Sequence, residues 1–282
     1  MFKGKIMRKI KLIALDLDGT LLNSQKRLSE RNENALRECI RRGIEIVPCT
    51  GRIWKGIPDF IREFPGVRYA ITVNGAAIVD IQKKAEIDQR KFNTEQALEI
   101  LEMAKSFDTM YDAYIEGQGY GEKRFMDHMD RYGISPMMQK MVLDTRIVVP
   151  DVIEKVRSDH GPVEKINYFF GNLEERARAR EALMKRDDVI ISSSFKLNLE
   201  INAVGATKGE GILRLAAHLG IEPEATMGFG DGENDLSMMQ KAGLGVAMAN
   251  GEEVVRQAAD YVTAHNDEDG VALAIEKFVL NT

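Results

Sequence analysis

The chain has 282 residues, of which 44% are apolar and 29% charged, and its formal net charge is −5. This length allows one large domain or two ordinary ones with a sizeable core, so the fold needs neither disulfides nor a structural metal. The acidic balance is mild and spread along the chain without long blocks of one sign, which argues against nucleic acid as a partner.

The N-terminal sequence MFKGKIMRKIKLIALDLDGT is basic and then apolar. Its apolar stretch is too short for the hydrophobic region of a signal peptide and for a transmembrane helix. We therefore expect a cytoplasmic protein with no membrane partner, and we expect residues 1–6 to be an extension ahead of Met7. Two cysteines, Cys39 and Cys49, without a C-x-x-C motif fit a reducing compartment.

Three stretches share one pattern, a short apolar strand followed by a polar cluster and a helical pattern: KIKLIALDLDGT, IEIVPCTGR and ATMGFGDGENDL. Between the first two, SERNENALRECIRRG predicts a helix with Ser29 as its N-cap and Gly43 at its end. In RYAITVNGAAIV, the pair Asn74-Gly75 between two apolar runs predicts a hairpin. Strands that alternate with helices predict an α/β fold with a doubly wound parallel sheet.

The middle of the chain, from about residue 84 to 202, has a different pattern. Strands are predicted near 109–124 (two of them), 145–149, 163–170, 188–194 and 197–202, and helices at 94–106, 150–158 and 173–185, with a Met-rich helical region near 125–142. Strand pairs that follow helices indicate a separate α+β insert with an antiparallel sheet. The parallel pattern resumes with TKGEGILRLAAHLG, a helix ending at Gly220. We therefore expect a core built from residues 1–83 and 203–282, with the insert at 84–202.

Four aspartates follow predicted strands of the core: Asp16 and Asp18 after one, Asp231 and Asp235 after another. Ligands of doubly wound sheets bind beyond the carboxyl ends of the strands, so we expect these carboxylates at one edge. Residues i and i+2 of a strand face the same way, unless the turn at Gly19 redirects Asp18. Confined carboxylates raise one another's pKa unless a cation holds them, and Mg²⁺ commonly takes a few carboxylates plus phosphate and water. Each aspartate taken alone could instead cap the next helix.

Groups that could hold an anion follow the second strand and open a later helix. Thr50, Gly51 and Arg52 offer a hydroxyl and backbone N–H groups near a predicted helix start, where anions bind well. Lys208 lies in the first turn of its helix, where a cation opposes the helix dipole, so its position needs another reason. Thr50 could be only an N-cap, and Lys208 only a surface lysine. Together with the carboxylates, however, these groups predict a site for a phosphoryl group.

The segments DLDGT, CTGR, ATKGEG and GDGENDLSMM, in that order, resemble the four motifs of the haloacid dehalogenase-like (HAD) phosphatase superfamily. The segments VNGA, AGLGVAMANG and EDGVALAIEKF make the chain similar to the Cof-type subfamily of sugar-phosphate and cofactor phosphatases. The resemblance covers nearly the whole length. It implies a Rossmannoid core whose insert at 84–202 is a C2-type cap, and an enclosed site that favours small phosphorylated metabolites.

The resemblance also implies a role for each motif residue. Asp16 would be the nucleophile that forms an aspartyl-phosphate, and Asp18 would be the general acid and base. Thr50 would hydrogen-bond the transferring phosphoryl group, and Lys208 would neutralise the nucleophile and the phosphoryl oxygens. The residues alone do not decide between Asp16 and Asp18 as nucleophile, although the strand end is the better fixed of the two positions.

Metal and substrate residues are implied in the same way. The metal ligands would be Asp16, Asp18 through its backbone carbonyl, Asp231 and Asp235, the last either as a ligand or as a support for the others. The residues expected on the phosphate and substrate side are Leu17, Gly51, Arg52, Asn74, Gly75 and Asn234. Glu200, in the final strand of the insert, is the candidate for contacts to substrate hydroxyls among the polar residues Arg124, His128, Lys165 and Glu200.

The sequence therefore predicts a Mg²⁺-dependent phosphatase (EC 3.1.3.-) for small phosphorylated metabolites, acting as a monomer or weak homodimer. Sugar phosphates, FMN and PLP are candidate substrates. An alternative is phosphoryl transfer within a substrate, as in phosphomutases, which would yield an isomerised sugar phosphate in place of free phosphate. A third hypothesis is a binding module that has lost turnover. Its mark would be a missing Asp16, Asp18, Lys208 or Asp231, and all four are present.

Overall fold

The computed structural model describes residues 9–281, which form two compact units. The first unit comprises the described residues up to Gly51, Ile57–Gln89, and the described residues from Thr207 onward. The second comprises Arg52–Gly56 and Arg90–Ala206. The expectation that residues 1–6 form an extension lies outside the described residues. None of the helices described is both long and apolar enough to cross a membrane.

The described residues form strands and helices that are numbered here in chain order. The strands are β1 (Leu12–Leu15), β2 (Glu45–Pro48), β3 (Tyr69–Thr72), β4 (Ala77–Asp80), β5 (Ala85–Gln89), β6 (Thr109–Ile115), β7 (Gln118–Glu122), β8 (Arg146–Val149), β9 (Val163–Phe170), β10 (Val189–Ser192), β11 (Asn198–Ala203), β12 (Thr226–Gly230), β13 (Leu244–Ala247) and β14 (Tyr261–Val262). The helices are α1 (Glu30–Arg41), α2 (Asp59–Arg62), α3 (Thr94–Ala104), α4 (Lys123–Met126), α5 (Pro136–Thr145), α6 (Val152–Asp159), α7 (Leu173–Leu183), α8 (Lys208–His218), α9 (Leu236–Lys241), α10 (Glu253–Ala258) and α11 (Gly270–Ile275), the last continued by a π-helical turn at Glu276–Leu280. Short 3₁₀ segments lie at Trp54–Gly56, Val73–Gly75, Met129–Tyr132, Pro223–Ala225, Glu233–Asp235 and Asn266–Glu268.

The first unit is built on a parallel sheet with the strand order β14-β13-β12-β1-β2. The strand β1, which lies between β12 and β2, reads LIAL and is wholly buried, as expected for a parallel strand covered on both faces. The helix α1 begins after Ser29, whose side chain accepts a hydrogen bond from the Asn32 N–H, and ends before Gly43, which has a φ of 75°. The predicted α/β fold with a parallel core sheet is confirmed.

A second, three-stranded sheet of the first unit has the order β3-β4-β5 and is antiparallel. The predicted hairpin is present, since β3 pairs with β4 across a turn in which Val73, Asn74 and Gly75 all have positive φ. Sequence reasoning missed β5. This strand reads AEIDQ and has no buried residue, so it carries no hydrophobic signal by which a strand can be recognised.

The second unit contains a six-stranded sheet with the order β10-β11-β9-β6-β7-β8. The central strands β6 and β9 are wholly buried, and residues of α3, α6 and α7 belong to the same apolar core. All neighbouring strands are antiparallel, as predicted, except β7 and β8, which are parallel. The connection between β7 and β8 contains α4 and α5, and a crossover of that length can return the chain to the same end of the sheet.

The predicted Met-rich helical region is interrupted. In place of one helical run there are α4, the 3₁₀ segment Met129–Tyr132, and α5. Gly133 follows the 3₁₀ segment in the left-handed conformation, which ends helices. Pro136 then begins α5 at its first position, where proline is preorganised and loses no hydrogen bond.

Candidate active site

The first two carboxylates of the site follow adjacent strands. In the sheet β1 lies beside β12, with Leu15 paired to Phe229. Asp16 is the next residue after β1, and its backbone N–H still donates to the Phe229 carbonyl at 3.0 Å. Asp231 is the next residue after β12. Parallel pairing therefore brings two residues that are 215 positions apart to one edge of the sheet.

Lys208 joins these carboxylates from a helix. Its Nζ lies 2.6 Å from Asp16 Oδ1 and 2.5 Å from Asp235 Oδ1, and its side chain is completely buried. The residue is the first of α8, whose N-cap Thr207 accepts a hydrogen bond from the Glu210 N–H. The alternative that Lys208 is a surface lysine is therefore wrong, and the ion pairs are the reason for a cation at the start of a helix.

Two glycines allow α8 to begin close to neighbouring backbone. A Cβ on Gly75, which has a φ of 93°, would overlap the Thr207 carbonyl oxygen, and a Cβ on Gly209 would overlap the Ser237 carbonyl oxygen. Only glycine permits both the positive φ and the close approach at position 75. These contacts fix where the helix starts, and therefore where Lys208 lies.

The buried charges of the site do not balance. Three carboxylates, of Asp16, Asp231 and Asp235, each have one oxygen within 4.8 Å of an oxygen of the other two. The single ammonium group of Lys208 faces these three carboxylates. Burial raises the pKa of Asp16 well above its usual range, and the neighbouring carboxylates add to the rise while Lys208 opposes it. Burial, and then Asp235, raise the pKa of Asp231 to about 7.

The same carboxylates act on Lys208. Burial alone would lower the pKa of this lysine, but Asp16 and Asp235 raise it well above its usual range, so the ammonium form persists. Three carboxylates with one ammonium group leave an excess of negative charge, and carboxylate oxygens are the donors that hard divalent cations prefer. The residues present therefore fit a divalent cation.

Asp235 differs from the other two acids because both of its oxygens accept hydrogen bonds. Oδ1 accepts from Lys208, and Oδ2 accepts from the backbone N–H groups of Asp231 at 2.8 Å and Gly232 at 3.0 Å. The side chain thus orders the loop that carries Asp231. Asp231 itself accepts a hydrogen bond at 2.6 Å from the hydroxyl of Thr20, a contact that sequence reasoning missed although Thr20 lies within the DLDGT motif.

Asp18 has a different environment from Asp16. After Gly19, with a φ of 85°, the chain turns back so that Leu21 and Leu22 N–H groups donate to the carbonyls of Asp16 and Leu17. The turn redirects the Asp18 side chain, which is partly exposed and pairs with Lys26 Nζ at 2.7 Å. Asp18 is not among the three acids whose carboxylate oxygens lie together. Its pairing with Lys26 was not predicted.

The expected phosphate side is assembled from three loops. Thr50 is buried, and its carbonyl accepts a hydrogen bond from the Asn74 N–H at 3.0 Å. Asn74 Oδ1 accepts a hydrogen bond from Asn234 Nδ2 at 3.3 Å, and a Cβ on Gly51 would lie 2.8 Å from the same oxygen. The structure therefore brings Thr50, Gly51, Asn74 and Asn234 together.

The expectation of a helix start beside this loop is wrong. The chain continues from Arg52 into the three-residue 3₁₀ segment Trp54–Gly56 and the single turn α2. Short apolar stretches interrupted by Gly56 and Pro58 do not sustain a helix. Any anion contact here must come from the loop's own N–H groups and hydroxyl.

Three further predicted residues, Leu17, Arg52 and Glu200, have surroundings of their own. The Leu17 side chain is fully buried, so its side chain belongs to the core of the first unit. Arg52 belongs to the second unit, where its guanidinium donates to the Gly56 carbonyl at 2.7 Å. Glu200 is buried in the second unit and pairs with Lys165 at 2.9 Å.

The two other polar candidates of the second unit have separate surroundings. Arg124 pairs with Glu122 at 2.6 Å and lies over the Phe125 ring. His128 is exposed before the 3₁₀ segment Met129–Tyr132. Neither residue contacts the Lys165–Glu200 pair in the hydrogen bonds and ion pairs described.

Comparison with known proteins gives consistent matches. A family model described as haloacid dehalogenase-like hydrolase matches residues 13–275. The 5-amino-6-(5-phospho-D-ribitylamino)uracil phosphatase YcsE of Bacillus subtilis is 30% identical over 271 residues, which is 96% of either chain. A haloacid dehalogenase-like hydrolase from B. subtilis has a similar structure, with a TM-score of 0.83 and 32% identity over 95% of this chain and 99% of its own. A sugar phosphatase of HAD subclass IIB gives a TM-score of 0.79 and 27% identity over 95% of this chain and 98% of its own.

Proposed function

Because this chain belongs to the haloacid dehalogenase-like hydrolase family and is a phosphatase for phosphorylated small molecules, we propose that it is a Mg²⁺-dependent phosphomonoester hydrolase that uses Asp16 as its nucleophile. The observation that carries this proposal is the buried ammonium group of Lys208, placed between Asp16 and Asp235 with Asp231 beside them. A cation fixed against a carboxylate at a strand end is suited to a reaction in which negative charge from a phosphoryl group arrives at that carboxylate.

The reaction has two steps. In the first, an Asp16 oxygen attacks phosphorus, the bond from phosphorus to the leaving alcohol oxygen breaks, and Asp18 gives that oxygen a proton. In the second, the Asp18 carboxylate takes a proton from water as the water attacks phosphorus. The bond from phosphorus to Asp16 then breaks, so inorganic phosphate leaves and both aspartates return to their starting state.

Lys208 and the acids around it hold the nucleophile in place. One of its two short ion pairs is with Asp16 and restricts the rotation of that carboxylate, while the other, with Asp235, holds the ammonium group itself. A nucleophile held in this way lowers the entropic part of the barrier. Asp16, Asp231 and the Asp18 carbonyl would hold Mg²⁺, which when bound would neutralise negative charge on the phosphoryl group. Both oxygens of Asp235 are engaged in the loop and with Lys208, so we assign it to orienting Asp231 and Lys208.

The loops beside Thr50 and Asn74 would bind the phosphoryl group. The Thr50 hydroxyl and the N–H of Gly51 are donors in a loop, and the Asn234 amide lies within hydrogen-bond distance of Asn74. Gly75 and the backbone of Leu17 complete the set that the sequence suggests. Donors of this kind suit phosphoryl oxygens, which carry charge throughout the reaction.

Substrate selection is assigned to the second unit, which we propose to be the C2-type cap predicted at 84–202. The curated relative is named as a phosphatase of a ribityl phosphate, and a structural relative as a sugar phosphatase. We therefore place a sugar or polyol phosphate first among the candidates, ahead of FMN and PLP. Within the second unit, the Lys165–Glu200 pair offers a donor and an acceptor for hydroxyl groups, and Arg52 is the further polar candidate.

The test is phosphate release from para-nitrophenyl phosphate with Mg²⁺ and with EDTA, for the wild type and for Asp16→Asn. We expect activity only for the wild type with Mg²⁺. A panel of sugar phosphates, the ribityl phosphate, FMN and PLP then gives the substrate preference. Activity of Asp16→Asn equal to wild type would contradict the proposed nucleophile, and an isomerised sugar phosphate without free phosphate would indicate a phosphomutase.

A further inference from the structure

The ion pair between Lys26 and Asp18 has no role in the two reaction steps given above. Lys26 Nζ lies 2.7 Å from Asp18 Oδ1, and the side chains are 49% and 37% exposed. An ion pair this open to solvent contributes little to folding stability. The ion pair can still orient the Asp18 carboxyl, because orientation depends on the geometry of the contact and does not require a large contribution to the free energy of folding.

The loop that carries Lys26 is held by many local hydrogen bonds. Asn23 Oδ1 accepts from the N–H groups of Gln25 and Arg27, and the Asn23 carbonyl accepts from the Lys26 N–H at 2.8 Å. Lys26 itself has a φ of 58°, in the left-handed region that residues other than glycine adopt uncommonly. The hydrogen bonds of Asn23 hold the loop in this conformation beside Asp18.

A second set of contacts fixes this loop to a distant segment of the first unit. Ser24 donates from its backbone N–H and its hydroxyl to the two oxygens of Asp267, at 2.7 and 2.6 Å. These hydrogen bonds hold the pKa of Asp267 below its usual range. Asn250 also donates to the Gly19 carbonyl at 2.8 Å. The turn after Asp16 and the loop with Lys26 are thus both anchored, so the distance between Asp18 and Lys26 is set by the fold.

We propose that Lys26 is a positioning residue for the general acid Asp18. The inference rests on the proposed function. In the first step the bond from phosphorus to the leaving oxygen breaks, and the proton on the Asp18 carboxyl moves to that oxygen. Lys26 donates to the carboxyl and restricts its rotation, so the proton is directed to the leaving group. Lys26 exchanges no proton with the substrate.

This role makes the contribution of Lys26 depend on the leaving group. A weakly basic leaving group such as para-nitrophenolate departs without a proton, whereas phenolate and alkoxides need one in the transition state. The measurement is kcat/KM for phenyl phosphate and para-nitrophenyl phosphate with the wild type, Lys26→Met and Lys26→Arg. For Lys26→Met we expect a fall on the order of tenfold with phenyl phosphate and less than about twofold with para-nitrophenyl phosphate. Lys26→Arg, which keeps a cation that reaches Asp18, should restore most of the loss.

The matched control is Lys241→Met. Lys241 forms an ion pair of similar length and exposure with Glu210, at 2.8 Å, and we expect no change in either substrate. Asp267→Ala, which removes the anchor of the loop and leaves Lys26 in place, should give part of the same selective loss. Stabilisation of Lys26→Met by Mg²⁺ in thermal unfolding should equal that of the wild type, since the acids that fit the cation are unchanged.

Equal losses on both substrates in Lys26→Met, or no loss on either, would overturn the inference while leaving the proposed function intact. An additional tenfold loss on adding Lys26→Met to Asp18→Asn would also overturn it, because a residue that acts through Asp18 has nothing to add once Asp18 is gone. A wild-type protein that releases phosphate from neither probe nor any metabolite would contradict the proposed function itself.

Discussion

The charge balance of the site depends on the ammonium group of Lys208. It is buried with Asp16 and Asp235 on either side, and removing one partner of a buried pair leaves an uncompensated charge in the interior. Asp16, whose pKa burial raises well above its usual range, can respond by taking up a proton. The stability that is lost when this lysine is removed should therefore depend on pH.

We predict that Lys208→Met loses activity by at least about a thousandfold, and that it is destabilised at pH 8 by roughly 3 kcal/mol. At pH 5 the destabilisation should be smaller, because the Asp16 carboxyl, whose pKa burial raises well above its usual range, can take up a proton once the cation is removed. Denaturant unfolding at the two pH values measures this. Equal destabilisation at both pH values would show that lost packing, and not uncompensated charge, is the cause.

The raised pKa of Asp231 predicts the pH dependence of the protein without metal. A carboxyl whose pKa is about 7 in the folded protein holds its proton there at pH values at which the unfolded chain has already released it. Its contribution to stability is therefore fully present below the ordinary aspartate pKa and is lost as the pH rises toward 7. In EDTA we expect the free energy of unfolding to fall by on the order of 2 kcal/mol between pH 4 and pH 8.

Asp231→Asn should remove much of this fall, since the amide carries no charge at any of these pH values. Mg²⁺ should restore the stability of the wild type at pH 8 but do little for the variant. Thermal unfolding with EDTA and with Mg²⁺ gives both comparisons. A wild type whose stability in EDTA rises from pH 4 to pH 8 would contradict the assignment.

At the level of the elements, the start of α8 positions Lys208 through close backbone contacts. Gly75 and Gly43 both have positive φ, but only Gly75 meets a neighbour: a Cβ there would overlap the Thr207 carbonyl oxygen, whereas a Cβ on Gly43 meets nothing within 4 Å. Alanine at either position pays for the left-handed conformation. Alanine at position 75 must also move the helix start.

We predict that Gly43→Ala loses about 1 kcal/mol of stability and keeps full activity. Gly75→Ala should lose more stability and at least about tenfold in kcat, because a displacement of about 1 Å at a catalytic group has effects of that order or larger. Unfolding and steady-state kinetics of the two variants test the difference. Full activity of Gly75→Ala would show that α8 does not depend on this contact.

For the whole molecule, the two compact units have separate apolar cores. The second unit also contains a buried ion pair of its own, with Arg146 Nε 2.9 Å from Asp112 Oδ2 and Asn167 donating to the other Asp112 oxygen. Breaking that pair should act on the unit that contains it.

We predict that Arg146→Met, in hydrogen exchange, lowers the protection of the β6 and β9 amides by an amount corresponding to about 3 kcal/mol. Protection of β1 and β12 should be unchanged, and Mg²⁺ should still increase it. Loss of protection in all four strands together would show that the two units unfold as one. Size-exclusion chromatography with light scattering on the same samples tests the proposed monomer or weak homodimer.

Much of the fold was predictable because it is encoded in local patterns. The apolar run of β1, the N-cap Ser29 and the Asn74-Gly75 turn each signal their structure within a few residues. The strand β5 and the interruption of the Met-rich region were not predicted. One has no buried residues, and the other depends on the conformation of Gly133.

The sequence by itself determined which residues we propose to carry the chemistry: Asp16, Asp18, Lys208 and Asp231 stand out because strand ends and helix starts can be recognised from short segments. Only the tertiary structure decided their partners. The pairing of Lys208 with Asp235 and of Lys26 with Asp18 follows from strand order and from turns that redirect side chains. Contacts of this kind join positions whose spacing in the chain has no period, so no local pattern can specify them.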